Sequence, residues 1–182
     1  MAEKNVGFAV KFADQLANLK ILTSKDAEEL KKTFAGSGRD NFVDFLLEED
    51  IVEKEDILEA LSKYYEVPSF DVDGYFFDHL LIRDFPKDFL MRHEIVPLEI
   101  DQTILVLVAA NPADPNLFPA IGELAPYEIK FYVGIAQDIQ NAIRDFYDKA
   151  LTEDDPDLDT DPAHDEEEDA DLDELEREDL EE

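Results

Sequence analysis

The sequence contains no cysteine and no tryptophan, and only six of its 182 residues are glycine. The absence of cysteine excludes disulfides, thiolate metal sites and cysteine nucleophiles, and it fits a reducing compartment. No stretch approaches the eighteen apolar residues of a membrane-spanning helix, and the N-terminus lacks the apolar run of a secretory signal. We therefore expect a cytoplasmic, soluble protein without membrane insertion.

Basic residues are also scarce. Sixteen Lys and Arg stand against 48 Asp and Glu, which gives a formal net charge of -32. Nineteen of the acids lie in residues 153–182, where Arg177 is the one base, yet the rest of the chain is acidic as well. No basic patch is present that could hold nucleic acid, and anionic membrane surfaces repel such a chain. The charge therefore argues against both kinds of partner.

The motifs of common catalytic and cofactor sites are missing too. No glycine is followed by lysine, so there is no phosphate-binding P-loop, and neither G-x-G-x-x-G nor G-x-S-x-G occurs. His79 and His93 have no partner at metal-ligand spacing, which makes each a surface or core residue. We expect no enzyme activity, no cofactor and no metal site.

What the chain does contain is an internal repeat. A shift of thirty residues places residues 12–34 on residues 42–64, with six identical pairs and six further pairs that stay apolar. Phe12 falls on Phe42, and Phe34 falls on Tyr64. A fixed period of this size is typical of a duplicated supersecondary unit. The sequence therefore predicts two copies of a helix pair packed into one small lobe.

Helical spacing of apolar residues supports this plan at residues 6–22, 25–34, 42–49 and 55–65. Thr23 or Ser24 can cap the second of these helices. Gly36 and Gly38 supply the linker between the two copies. Core packing is the simplest role for every Phe, Leu and Ile in these stripes.

From Ile95 the pattern changes to that of strands. IVPLEI and TILVLVA flank a short turn and predict a β-hairpin, EIKFYV predicts a third strand, and IAQDIQNAIRDFYDKAL predicts a closing helix. Pro97 places the first strand at an edge, whereas the wholly apolar residues 104–109 indicate a central strand. Two short helices are expected in addition, one capped by Asp84 before Pro86 and one capped by Asp114 before Pro115.

The fold class is therefore α+β, with three expected regions. Residues 1–67 form a helical lobe with the tandem repeat, residues 68–152 form a small three-stranded α/β lobe, and residues 153–182 form a disordered acidic tail. Five tail acids have calcium-loop spacing, but Pro162 stands where the loop needs glycine, so specific calcium binding is not expected.

Two stretches of the chain resemble a known family. IVPLEIDQTILVLVAANPADPN, followed by YEIKFYVGIAQDIQNAIRDFY, is similar to the N-terminal domain of type II secretion and type IV pilus assembly ATPases. The helical repeat resembles the tandem motif of the MshEN-type subgroup, which binds cyclic di-GMP. The resemblance covers residues 6–147. We expect no ATPase domain after these stretches, where the family has one, because residues 153–182 form an acidic tail.

The family motif runs approximately R-L-G-x-x-L-x-x-x-G-x-I, twice. Here its arginine positions hold Lys11 and Asn41, and its late glycine positions hold Lys20 and Asp50. Lysine keeps only a point charge in place of the planar arginine fork, and an aspartate repels an anionic ligand. The early glycine positions hold Ala13 and Val43, while the apolar positions remain apolar. By resemblance, the ligand-binding residues are Lys11, Phe12, Leu16, Lys20, Asn41, Phe42, Leu46 and Ile51.

Two functions remain open on this evidence. The first is a non-catalytic regulatory or adaptor module that binds a protein partner from secretion, pilus or motility machinery. The second is a divergent cyclic di-GMP receptor with weakened ligand contacts. The retained apolar framework and the altered ligand positions favour the first.

Overall fold

The structure, a computed structural model, describes residues 2–152. Eight helices and one three-stranded sheet are present in this part of the chain. The helices are α1 Ala2–Asn18, α2 Ser24–Ser37, α3 Phe42–Glu48, α4 Lys54–Tyr65, α5 His79–Arg83, α6 Lys87–His93, α7 Leu117–Gly122 and α8 Ala136–Thr152, and the strands are β1 Ile95–Asp101, β2 Ile104–Ala109 and β3 Glu128–Val133. The predicted α+β class is confirmed. The expected disordered tail and its calcium-like spacing lie outside the described residues.

The sheet has the order β1-β2-β3. β1 pairs with β2 in antiparallel register, and β2 pairs with β3 in parallel register. The predicted central position of β2 is confirmed, and residues 105–109 are buried because neighbours cover both faces of that strand. β1 lies at the edge, as Pro97 predicted, and its register shifts between Pro97 and Glu99.

Two clusters of buried apolar side chains hold the described chain together. One is built around β2 and receives Leu90 of α6 and Ile139 of α8. The other fills the space between the first four helices, where α1 packs against α2, α3 and α4. Val133 and Ile135, at the end of β3 and just after it, belong to the second cluster, so the sheet also contributes to the helical core. The proposed boundaries at residues 67 and 152 stay predictions.

Aromatic rings relate the two copies of the repeat by reciprocal contacts. Phe12 meets Tyr64 edge to face with ring centroids 6.1 Å apart, and Phe42 meets Phe34 in the same manner at 5.0 Å. Phe12 and Phe42 also contact each other. Each copy therefore contributes its first aromatic residue to the second helix of the other copy, as in a self-complementary interface between two equivalent units.

The structure corrects two predicted helix caps. Asp84 ends α5 and Pro86 occupies the N-cap of α6, so Asp84 does not cap that helix. The N-cap of α7 is Asn116 and not Asp114. The Asp114 carboxylate instead accepts a hydrogen bond from the Asn116 backbone N–H at 3.0 Å, which forms an Asx turn before the helix. The Thr23 cap of α2 is confirmed, since its hydroxyl accepts from the Asp26 N–H.

None of the helices in residues 2–152 combines the length and the apolar character needed to cross a bilayer.

Candidate functional site

Each copy of the repeat ends its first helix in the same left-handed turn. Lys20 has φ 63° and Asp50 has φ 49°. The N–H of Ile21 donates to the Leu16 carbonyl at 3.0 Å, and the N–H of Ile51 donates to the Leu46 carbonyl at the same distance. This is the Schellman arrangement, in which glycine is favoured at the left-handed position. The backbone conformation of this turn therefore favours the late glycine of the family motif, independently of any ligand.

The two arginine positions of the motif lie in different surroundings. Lys11 lies within α1 and is exposed. Asn41 is the N-cap of α3, where its side-chain oxygen accepts hydrogen bonds from the N–H groups of Val43 at 2.9 Å and Asp44 at 3.3 Å. The difference arises because α1 extends far upstream of Lys11, whereas α3 begins directly after Asn41.

The other residues expected to bind a ligand divide by burial. Phe12, Leu16, Phe42 and Leu46 are at most 1% exposed and form the centre of the helical core. Ile51 is half-buried against the same core, and Lys20 is exposed. The structure therefore brings one member of the set, Asn41, to a concave surface, and contact of the others with a ligand stays a prediction.

That concave surface is a cleft of ≈ 420 Å³ where the helical region meets one end of the sheet. The helical side contributes residues from α1, α3, α4 and the loop before α3, and the sheet side contributes the ends of β2 and β3. The lining consists of Phe8, Asp40, Asn41, Val43, Leu61, Tyr65, Glu94, Ala110, Asn111, Gly134, Ile135 and Ala136. We refer to this space as the interlobe cleft.

The interlobe cleft combines acidic, polar and apolar lining residues. Asp40 and Glu94 line it, and its lining includes no lysine or arginine. The first residue of α8, Ala136, lies there as well, and a helix N-terminus carries about half a positive charge. Two carboxylates outweigh that half charge, so the cleft favours a neutral or cationic group over a phosphate. Burial raises the pKa of Tyr65 to about 12, which keeps its phenol neutral.

Asp44, three residues after Asn41, lacks a lysine partner like the one that binds Asp14, the corresponding residue of the first copy. Asp14 binds Lys31, whose Nζ lies 2.5 Å from the carboxylate. Thirty residues after Lys31 the chain has Leu61, and Oδ1 of Asp44 is buried without a hydrogen-bond partner within the described structure. Burial, followed by the charges of Glu48, Glu94 and Asp138, raises the pKa of Asp44 to about 6.

Lys54 connects three elements below the cleft. Its Nζ lies 2.9 Å from Asp71 and 3.4 Å from Asp73 in the loop after α4, and 3.0 Å from Asp138 in α8. Burial alone would lower the pKa of Lys54, but the hydrogen bonds to Asp71 and Asp138 outweigh it and hold the pKa above its usual range. The ammonium therefore stays charged and fixes this loop against both helices.

Sequence reasoning identified Asn41 and the altered Val43 position but missed the rest of the cleft. Glu94, Asn111 and Gly134 lie 53 to 93 residues beyond Asn41, so only the folded chain brings them together with it. Within the described residues, no group of three or more His, Asp or Glu side chains is placed to hold a metal ion.

Comparison with known families now gives these elements a context. Residues 65–153 match the family model of the MshEN domain. This range contains the loop after α4, the three strands of the sheet and helices α5 to α8. The match therefore covers the part of the chain that follows the repeat. A comparison with curated proteins gives no match.

Two solved structures share the fold. The structure of MshE with cdg superposes with a TM-score of 0.60 at 18% identity, covering 75% of this chain and 98% of that one. The structure of the N-terminal domain of XpsE gives a TM-score of 0.50 at 19% identity, covering 79% and 94%. Residues 65–182 make up less than two-thirds of the chain, whereas the two matches cover 75% and 79% of it. Both matches therefore extend into the helical repeat. The resemblance predicted from the sequence is confirmed for the fold.

Proposed function

We propose that this chain, which contains an MshEN-type domain, is a non-catalytic regulatory module that acts by contact with a protein partner. The observation that carries the proposal is the acidic interlobe cleft beside the second copy of the repeat. There Asn41 is engaged as a helix cap and Asp40 and Glu94 replace the positive charge that an anionic ligand needs. The apolar positions of the repeat meanwhile remain buried and keep the fold intact.

The proposed partner belongs to secretion, pilus or motility machinery in the cytoplasm, since the domain resembles the N-terminal part of assembly ATPases. Affinity capture with the full-length chain tests this directly. We expect a specific partner to be recovered in stoichiometric amounts, with the same partner captured by a Lys32→Ala bait that changes only an exposed lysine. Repeated capture that yields no specific partner would contradict the adaptor role.

The second candidate is a cyclic di-GMP receptor. The structural match to MshE with cdg, which denotes cyclic di-GMP, supports it. Lys11, at an arginine position of the motif, and Lys20, at a glycine position, are both exposed and supply positive charge. The altered positions Asn41 and Asp50 count against it, because neither supplies a cation.

Calorimetry with cyclic di-GMP separates the two candidates. The adaptor role predicts no binding tighter than about 10 μM, a free energy of about -7 kcal/mol. Tighter binding that weakens on Lys11→Ala but not on Lys32→Ala would establish the receptor instead. Lys32 is the matched control because it is an exposed helical lysine outside the motif.

A further inference from the structure

Several large apolar side chains of the loop before α5, of α5 itself and of β1 are exposed to solvent. Phe76, in the loop before the short helix α5, is 95% exposed, and Leu80, within α5, is 75% exposed. Tyr75 and Ile100 are about two-fifths exposed. A cluster of such residues, unlike scattered single ones, is typical of an interaction site.

Tyr75, Phe76 and Ile100 line a groove of ≈ 420 Å³, separate from the interlobe cleft, which we call the Phe76 groove. It is lined by residues 75–78 and 98–100 together with Leu81. Leu81 and Leu98 are 7% and 5% exposed and belong to the sheet core, so the floor of the groove is fixed. Phe76 also lines the groove, and its exposure places it at the rim.

The loop that carries Phe76 is anchored on both sides of it. The Tyr75 ring meets the Phe70 ring at 5.1 Å and the Phe77 ring at 4.8 Å, both edge to face. The Tyr75 N–H donates to the Val72 carbonyl at 3.2 Å, and the Asp78 carboxylate accepts from the Leu80 N–H at 2.9 Å. The groove is therefore formed in advance, which lowers the entropy cost of binding.

Charge and strand geometry restrict the occupant. Asp78 and Glu99 line the groove and its lining includes no lysine or arginine, so it attracts a basic segment. A second copy of this chain would bring a net charge of -32 against the same charge, and an anionic membrane would be repelled as well. Pro97 and the register shift beside it interrupt the free edge of β1, which disfavours addition of a strand.

We propose that the Phe76 groove docks an amphipathic helix of a partner protein, with large apolar side chains on one face and Lys or Arg beside them. This proposal rests on the adaptor role and names the surface through which that role is carried out. The apolar face covers Phe76 and Ile100, and the basic residues meet Asp78 and Glu99.

A peptide titration with the full-length chain tests the groove. The probe is a labelled amphipathic peptide of about 18 Leu and Lys residues with leucine at helical spacing. A peptide of the same composition in scrambled order and a Leu/Glu analogue are the controls. We expect the amphipathic peptide to bind at least about tenfold more tightly than either control, because only it presents an apolar face next to positive charge.

Substitutions in the chain locate the binding. Phe76→Ser and Ile100→Ser should each weaken binding by about tenfold or more, and Glu99→Gln by about threefold with a smaller salt dependence. Phe118→Ser is the matched control, because Phe118 is 58% exposed on α7 and does not line the groove. All these side chains are exposed, so the variants should remain folded, which circular dichroism verifies.

Four results would overturn the proposal. Equal binding of the scrambled peptide, or an equal effect of Phe118→Ser, would show a general attraction of basic peptides to an acidic chain. Concentration-dependent dimerisation that disappears in Phe76→Ser would show that a second copy occupies the groove. If the Phe76→Ser bait still captures the same partner as the native chain, the groove is not the docking surface, while the adaptor role stands.

Discussion

Phe12 and Phe42 occupy the same place in the two copies of the repeat and meet each other edge to face, with ring centroids 6.4 Å apart and an interplanar angle of 88°. Both rings are at most 1% exposed. The duplication therefore creates its own interface, in which each copy covers the apolar face of the other. The burial of these two rings therefore depends on contacts between the two copies.

The contact between these rings should be measurable as a coupling energy. Phe12→Leu and Phe42→Leu each remove an edge-to-face partner, and aromatic pairs of this kind are coupled by about 0.5–1.5 kcal/mol. A double-mutant cycle from urea denaturation should return that value. The pair Phe12→Leu with Phe118→Leu is the control and should be additive within about 0.5 kcal/mol, because Phe118 is exposed on α7. Additivity in the first cycle would contradict the interface.

Restoring glycine at the left-handed turns should stabilise the protein. Lys20 and Asp50 have φ of 63° and 49°, where a side chain costs about 1 kcal/mol relative to glycine. Lys20→Gly and Asp50→Gly should each raise the free energy of unfolding by about that amount and the Tm by about 2–4 °C. Lys11→Gly, in the interior of α1, should lower it by about 1 kcal/mol. Loss of stability in either turn variant would show that those side chains have another structural role.

Stability should fall between acidic and neutral pH because of Asp44. Its pKa rises from 3.8 to about 6 on folding, so its contribution is fully present below 3.8 and is lost as the pH rises through about 6. Solvent screening at this half-buried group reduces the effect to about 1 kcal/mol. Asp44→Asn should remove this part of the pH dependence, measured by urea denaturation from pH 4 to pH 7.

The control for Asp44 is Asp14→Asn, the same change at the repeat-related position. The Asp14 carboxylate is exposed and bound to Lys31, so the substitution removes an ion pair and should not flatten the stability profile between pH 4 and pH 7. If both variants flatten it equally, the effect belongs to the total charge of the chain and not to the orphaned carboxylate.

Two glycine-to-alanine substitutions should have opposite effects. A Cβ on Gly134 would lie 2.6 Å from Cγ1 of Val108, a buried β-branched residue that cannot move aside, so Gly134→Ala should cost about 1–3 kcal/mol. A Cβ on Gly7 meets nothing within 4 Å, and Gly7 lies inside α1, so Gly7→Ala should stabilise by up to about 1 kcal/mol. Thermal and urea denaturation report both. If Gly134→Ala leaves the free energy of unfolding unchanged, the segment between β3 and α8 can move away from β2.

Removal of the Lys54 charge should loosen the loop after α4. Lys54→Met keeps most of the apolar stem but leaves Asp71, Asp73 and Asp138 without their shared cation. We expect a loss of about 0.5–1 kcal/mol and faster hydrogen exchange at the Phe70 N–H, which bonds to the Val133 carbonyl at 2.9 Å. Lys32→Met, at an exposed site, should leave that exchange rate unchanged.

The amino-acid sequence by itself determined the repeat, most helices, all three strands and the edge position of β1. These features follow from local periodicity and from the backbone restrictions of proline, which act over a few residues and need no knowledge of distant contacts. The wrong caps at Asp84 and Asp114 show the limit of that reasoning. An acid before a proline can form an Asx turn or end the previous helix as readily as it caps the next one.

Only the tertiary structure decided which residues meet. Asn41, Glu94 and Gly134 share one cleft, and Asp44 is orphaned, because the helical region and the end of the sheet fold against each other. The sequence shows Leu61 at the position that Lys31 occupies in the first copy. The effect of this difference on the pKa of Asp44 depends on the burial of its carboxylate. Phe76 is the reverse case, since its apolar character predicts burial and the fold leaves it exposed. Burial depends on the whole surrounding chain, and local sequence does not contain it.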